Sequence, residues 1–88
     1  MIKCEIKVVN RAGLHTRPAA SLVKLAARFK SEITLIRDGF AINAKSIIGV
    51  MTLAAEQGSI LTLQVDGEDE ELAAKEIYDL FNSGFGED

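Results

Sequence analysis

Tryptophan is absent from this 88-residue chain, and cysteine, histidine and proline occur once each. The single cysteine, Cys4, excludes an internal disulfide. One Cys and one His fall short of the four ligands that a structural zinc site usually needs, so neither a metal nor a cofactor is expected. No apolar run approaches the roughly 20 residues that span a bilayer. The first residues also lack the basic stretch and apolar core of a secretory signal, so the expected location is cytoplasmic. The strands lack the aromatic pairs on which RNA bases stack, and the net charge is −3, so a nucleic-acid partner is not expected. Nothing resembles a paired-carboxylate site, and a conventional enzyme is the reading least supported.

Hydrophobic residues make up 48% of the chain and charged residues 26%, as in a soluble globular protein. The length suits one domain covering residues 1–88. The charge is unevenly spread. Residues 1–46 hold nine of the ten basic side chains and three acids, and residues 47–88 hold one base and ten acids. Such a division can steer an acidic or phosphorylated partner to one face.

Ile2, Cys4, Ile6 and Val8 alternate with Lys3, Glu5 and Lys7, which predicts a half-buried strand with Cys4 as a small core residue. Asn10 to Gly13 break the pattern as a loop. From Thr16 to about Phe29 the apolar period is helical, and Pro18 is tolerated in the first turn. Ile33–Arg37 and Phe40–Ala44 flank Asp38-Gly39, a hairpin signal of the type I′ turn. Ser46 opens a short helix through Ile47, Ile48, Val50, Met51 and Leu53, with Gly58 as its expected stop. Ile60–Asp66 is a fourth strand, and Gly67 turns the chain. The acidic run Glu68–Glu71 suits the start of a last helix, with Ala73, Ile77, Leu80 and Phe81 as its buried stripe and Ser83-Gly84 as its end. The order βαββαβα predicts an α+β fold, one sheet with helices on one face.

His15 lies between the glycine-containing loop Arg11–Leu14 and the helix that begins Thr16-Arg17-Pro18. The first amides of a helix have no internal partner, and the helix dipole adds positive charge there, so an anion is stabilised. Thr16 and Arg17 supply those amides. The Arg17 guanidinium matches phosphate oxygens, and imidazole offers an unprotonated nitrogen near neutral pH. These parts fit phosphoryl transfer, where positioning and charge carry most of the catalysis. Taken alone, they also fit a histidine that merely caps a helix.

The stretch Gly13-Leu14-His15-Thr16-Arg17-Pro18-Ala19 resembles the phosphohistidine signature of the HPr family, the histidine-containing phosphocarriers of the phosphoenolpyruvate-dependent sugar phosphotransferase system. Lys45 to Leu53 resembles that family's second signature, and length and element order agree along the whole chain. The resemblance implies an open-faced sandwich, with a four-stranded antiparallel sheet of order 1-4-2-3 under three helices. It implies that His15 takes a phosphoryl group at Nδ1 from enzyme I and gives it to a sugar-specific enzyme IIA-type acceptor, with Arg17 steadying the phosphate. Two departures stand out. Ala12 occupies a place where many relatives carry a small polar side chain, and Phe40 one where lysine is common. Phe40 has no functional account.

Ser46 is expected to cap its helix. By the same resemblance it is a regulatory phosphorylation site for an HPr kinase/phosphorylase, read in turn by a transcriptional regulator. Ile47, Ile48 and Met51 exceed what one buried stripe needs, so an exposed docking patch is expected, with Arg17, Lys24 and Lys45 facing an acidic rim. A monomer suits transient partner exchange. The competing readings are a regulatory member of the same family that signals without sugar transport, and an α+β ligand-binding module never phosphorylated on His15.

Overall fold

A computed structural model describes residues 1–87. Strand β1 (Ile2–Lys7) leads to helix α1 (Thr16–Ala26), the hairpin β2 (Glu32–Arg37) and β3 (Phe40–Asn43), and the short helix α2 (Ile47–Thr52). Strand β4 (Ile60–Asp66), helix α3 (Glu70–Asn82) and a 3₁₀ turn (Gly84–Gly86) follow. The four strands form one antiparallel sheet in the order β1-β4-β2-β3, as expected.

Alternation decides which face is covered. Ile6, Leu61, Leu63, Val65, Ile33 and Leu35 are buried on the inner face. Their neighbours Lys3, Glu5, Lys7, Glu32 and Asp66 are exposed. Leu22 of α1 and Ile77 and Phe81 of α3 join the inner-face residues in one buried cluster. The hairpin turns where Asp-Gly demands it, with φ of 50° at Asp38 and 81° at Gly39, both in the left-handed region.

Local departures have physical reasons. Helix α1 stops at Ala26, because the chain tightens to three-residue hydrogen bonds (Arg28 amide to Leu25 carbonyl, Phe29 amide to Ala26 carbonyl), yet Phe29 stays buried. Helix α2 stops at Thr52, well before Gly58. There, Arg37 donates from one guanidinium nitrogen to the carbonyls of Leu53 and Ala54, both at 2.8 Å, and Ala54 takes φ 49°. In α3 the stripe is Ala73, Ala74, Ile77 and Phe81, with Leu80 only half-buried. Cys4 is half-buried against the core rather than enclosed by it, and that burial pushes its thiol up from the ordinary value. Asp69, at the start of α3, bonds the Ser31 hydroxyl and the Lys30 and Ser31 amides, which lowers its carboxyl to about 2. Gly67 beside it must be glycine, since a Cβ there would lie 2.6 Å from the Ser31 Cα. No helix among the described residues is long and apolar enough to cross a membrane.

Candidate functional site

The loop between β1 and α1 is built to deliver one imidazole. Asn10 is buried, and its side-chain amide donates to the Gly13 carbonyl at 2.8 Å, closing the loop on itself. Gly13 has φ 73°, and a Cβ on it would lie 2.5 Å from the Ala55 carbonyl oxygen, so only glycine fits. Leu14 is buried, and its amide donates to that same carbonyl at 2.9 Å. The next residue, His15, is the N-cap of α1 in extended conformation, with its carbonyl accepting from the Ala19 amide at 3.0 Å. Its ring makes no capping bond and is 43% exposed.

The helix start beyond it is sparse in donors. Thr16 and Arg17 occupy the first two helical positions, and Pro18 in the third has no N–H at all. Ala19 already bonds within the helix, so the amides left without an intrahelical partner are those of Thr16 and Arg17. The Arg17 side chain is exposed beside them. Together with Arg11, Ala12, Phe85, Gly86 and Glu87, His15 and Arg17 line an open cleft of about 560 Å³. Ala12 contributes no polar side chain there, so the donors open to an anion are backbone amides and the two arginines.

Asn10 and Glu87 belong to this site although sequence reasoning passed over both. The Glu87 carboxylate lies 3.2 and 3.1 Å from His15 Nε2 through its two oxygens, and one of them accepts from the Asn10 amide at 3.0 Å. Burial works against the Glu87 charge. Hydrogen bonds from His15 and Asn10, and the charges of His15 and Arg17, outweigh it, and the carboxyl titrates below the ordinary glutamate value. No local pattern could have paired positions 72 apart. The charge asymmetry was the one available signal, a basic motif in one half and loose acids in the other.

The second group of candidates sits on α2. Ser46 is the N-cap of α2, and its hydroxyl oxygen accepts from the Gly49 amide at 3.1 Å. Its side chain is exposed. Ile48 is 75% exposed, Met51 43% and Ile47 38%, while Val50 and Leu53 are buried. Lys24 is exposed in the last turn of α1. Lys45 is half-buried, and its ammonium donates to the Phe29 carbonyl at 2.7 Å, so it also secures the turn that follows α1. Among the described residues, no group of acidic, His or Cys side chains could hold a metal ion.

The chain is similar to known proteins along its whole length. The family model described as the phosphorylation site of the PTS HPr component matches residues 2–83. The chain is 50% identical to the phosphocarrier protein HPr of Treponema pallidum, covering all of both chains. Its structure superposes on the crystal structure of HPr-C-His from Thermoanaerobacter tengcongensis with a TM-score of 0.96 at 44% identity, covering 100% and 99% of the two chains. A crystal structure of an HPr dimer from the same organism gives 0.80 at 45% identity, covering 99% of this chain and 100% of that one.

Proposed function

The chain belongs to the HPr family and is a phosphocarrier of the phosphotransferase system, and from that premise we propose that His15 takes a phosphoryl group from phosphorylated enzyme I and passes it to sugar-specific enzyme IIA-type acceptors. The observation that carries this reading is the placement of His15. Its exposed ring stands at the N-cap of α1, beside the free amides of Thr16 and Arg17 and the Arg17 guanidinium. A ring nitrogen attacks phosphorus as the donor's bond to phosphorus breaks. The amides and Arg17 hold the oxygens of the transferring group, whose charge is the main thing to stabilise. The group then leaves by the same route in reverse, so the protein ends unchanged.

The same proposal includes a docking face. Ile47, Ile48 and Met51 offer an apolar patch, with Lys24, Arg17 and the remaining donors of Lys45 facing an acidic partner. It includes regulation at Ser46 by an HPr kinase/phosphorylase, with a transcriptional regulator reading the product. A phosphate there adds nearly two negative charges beside the apolar patch while leaving a cap acceptor in place. It also includes a cytoplasmic, monomeric carrier, which sedimentation tests against the dimeric relative.

The deciding experiment is incubation with enzyme I and labelled phosphoenolpyruvate. The expected product is an acid-labile, alkali-stable phosphate on the wild type that vanishes in His15→Ala. An unlabelled wild type, or a labelled His15→Ala, overturns the reading.

A further inference from the structure

We infer that Glu87 is a positioning residue for phosphoryl transfer, holding the proton of the neutral His15 ring on Nε2 and so presenting Nδ1 as the bare nucleophile. The inference rests on His15 being the phosphoryl acceptor.

Both Glu87 oxygens lie within hydrogen-bond distance of Nε2, at 3.2 and 3.1 Å. An ionised carboxylate can only accept, so the nitrogen facing it must carry the proton. A neutral imidazole has one proton, which leaves the lone pair on Nδ1. The ionised state is itself favoured, because donors and positive groups surround the carboxyl: His15 and Asn10 by hydrogen bond, Arg17 by charge, with Arg11 lining the same cleft.

The carboxylate is also braced. Asn10 holds one oxygen at 3.0 Å from a side chain that is itself 2% exposed and tied to the Gly13 carbonyl. The Glu87 amide donates to the Gly84 carbonyl at 2.9 Å. Two residues earlier, Phe85 packs edge-on against the buried Phe81, with ring centroids 4.8 Å apart. Asn10 thus serves His15 twice, through the loop that carries it and through the acid that orients it.

The chemistry balances without a mobile proton. The Nδ1 lone pair forms the bond to phosphorus while the donor's bond to phosphorus breaks. The ring becomes an imidazolium with its proton still on Nε2, and its positive charge rests against the carboxylate. On transfer to the acceptor, the Nδ1–phosphorus bond breaks and its electron pair returns to Nδ1. Keeping Nε2 protonated in between keeps the ring a good leaving group.

The test compares Glu87→Ala and Glu87→Gln with the wild type. Nitrogen NMR of ¹⁵N-labelled His15 in its neutral form reads the tautomer, and single-turnover phosphorylation by enzyme I and phosphoenolpyruvate reads the rate. The wild type is expected to hold the proton on Nε2, and Glu87→Ala to populate both tautomers with a roughly tenfold slower transfer, the scale of one lost charge-assisted hydrogen bond. Glu87→Gln is expected to be at least as slow. If its oxygen keeps the Asn10 bond, its NH₂ faces Nε2 and favours the wrong tautomer. Either an unchanged ring spectrum or wild-type rates in both variants overturns the inference. A wild type that enzyme I does not label overturns the parent reading instead.

Discussion

Helices α1 and α2 begin in opposite ways, and the contrast separates a site built for a guest from one that satisfies itself. At α2 the N-cap Ser46 accepts from the amide of the third helical residue, Gly49, at 3.1 Å. At α1 the N-cap is His15, whose side chain makes no such bond, and the third residue is Pro18, which has no amide to offer. A missing cap costs about 1 kcal/mol. In exchange, α1 keeps the Thr16 and Arg17 amides free, an imidazole facing outward and a guanidinium within reach. The surroundings differ as well. The α1 start opens on a cleft lined by Arg11, Arg17 and Glu87, whereas α2 carries exposed Ile47, Ile48 and Met51. One helix start holds charge, and the other offers grease beside a hydroxyl.

The strongest way to break this comparison is to empty the α1 site. His15→Ala should abolish labelling from phosphoenolpyruvate while the fold survives, because the ring makes no capping bond and is 43% exposed. Retention of the native circular dichroism with complete loss of label is the expected pair of results. Arg17→Ala should keep the label but slow transfer by roughly 100-fold, the loss typical of a donor aimed at developing charge. Arg17→Lys should recover only part of that, since an ammonium supplies a point charge without the two-pronged fork. Stopped single-turnover assays would rank the three proteins.

Ser46→Asp tests the other helix start. Aspartate is as good an N-cap as serine, so thermal stability should be unchanged. Phosphorylation of His15 by enzyme I should nevertheless fall by about tenfold, because a fixed negative charge then stands beside the docking patch and meets an acidic partner rim. A rate equal to that of the wild type would mean that α2 plays no part in docking or that charge at residue 46 goes unread.

Much of this architecture was legible in the residues, and where legibility stopped the cause was distance along the chain. The Asp38-Gly39 turn and the strand alternation are local properties, and both formed where local chemistry put them. His15 and Arg17 were readable together because they stand two positions apart. The end of α2 was not, because Arg37 arrives from β2 to bind the Leu53 and Ala54 carbonyls and makes Gly58 irrelevant as a stop. The same holds for Glu87, one of ten acids in the second half of the chain. Only the fold tells it apart, by setting the turn after α3 against the loop after β1. The exposure of Ile48 was anticipated from excess apolar positions, but the bond between Lys45 and the Phe29 carbonyl was not, since it too crosses between elements.

The smallest expected effects fall on stability, and they sharpen the contrast most directly. Ser46→Ala removes an acceptor from the Gly49 amide and should cost about 1 kcal/mol in denaturant unfolding. Putting serine in place of His15 should not return that amount at α1. A serine oxygen in the extended N-cap conformation reaches the second or third helical amide, and here the third residue is Pro18. Only the Arg17 amide can donate to it, so His15→Ser should gain no more than roughly 0.5 kcal/mol. Replacing Pro18 with alanine in the same variant restores the missing donor and should raise the gain toward the full value, offset in part by the greater freedom of the unfolded chain. If His15→Ser alone stabilises the protein by as much as Ser46→Ala destabilises it, then proline is not what keeps the α1 start uncapped. The two helix starts would then differ only in the identity of one side chain.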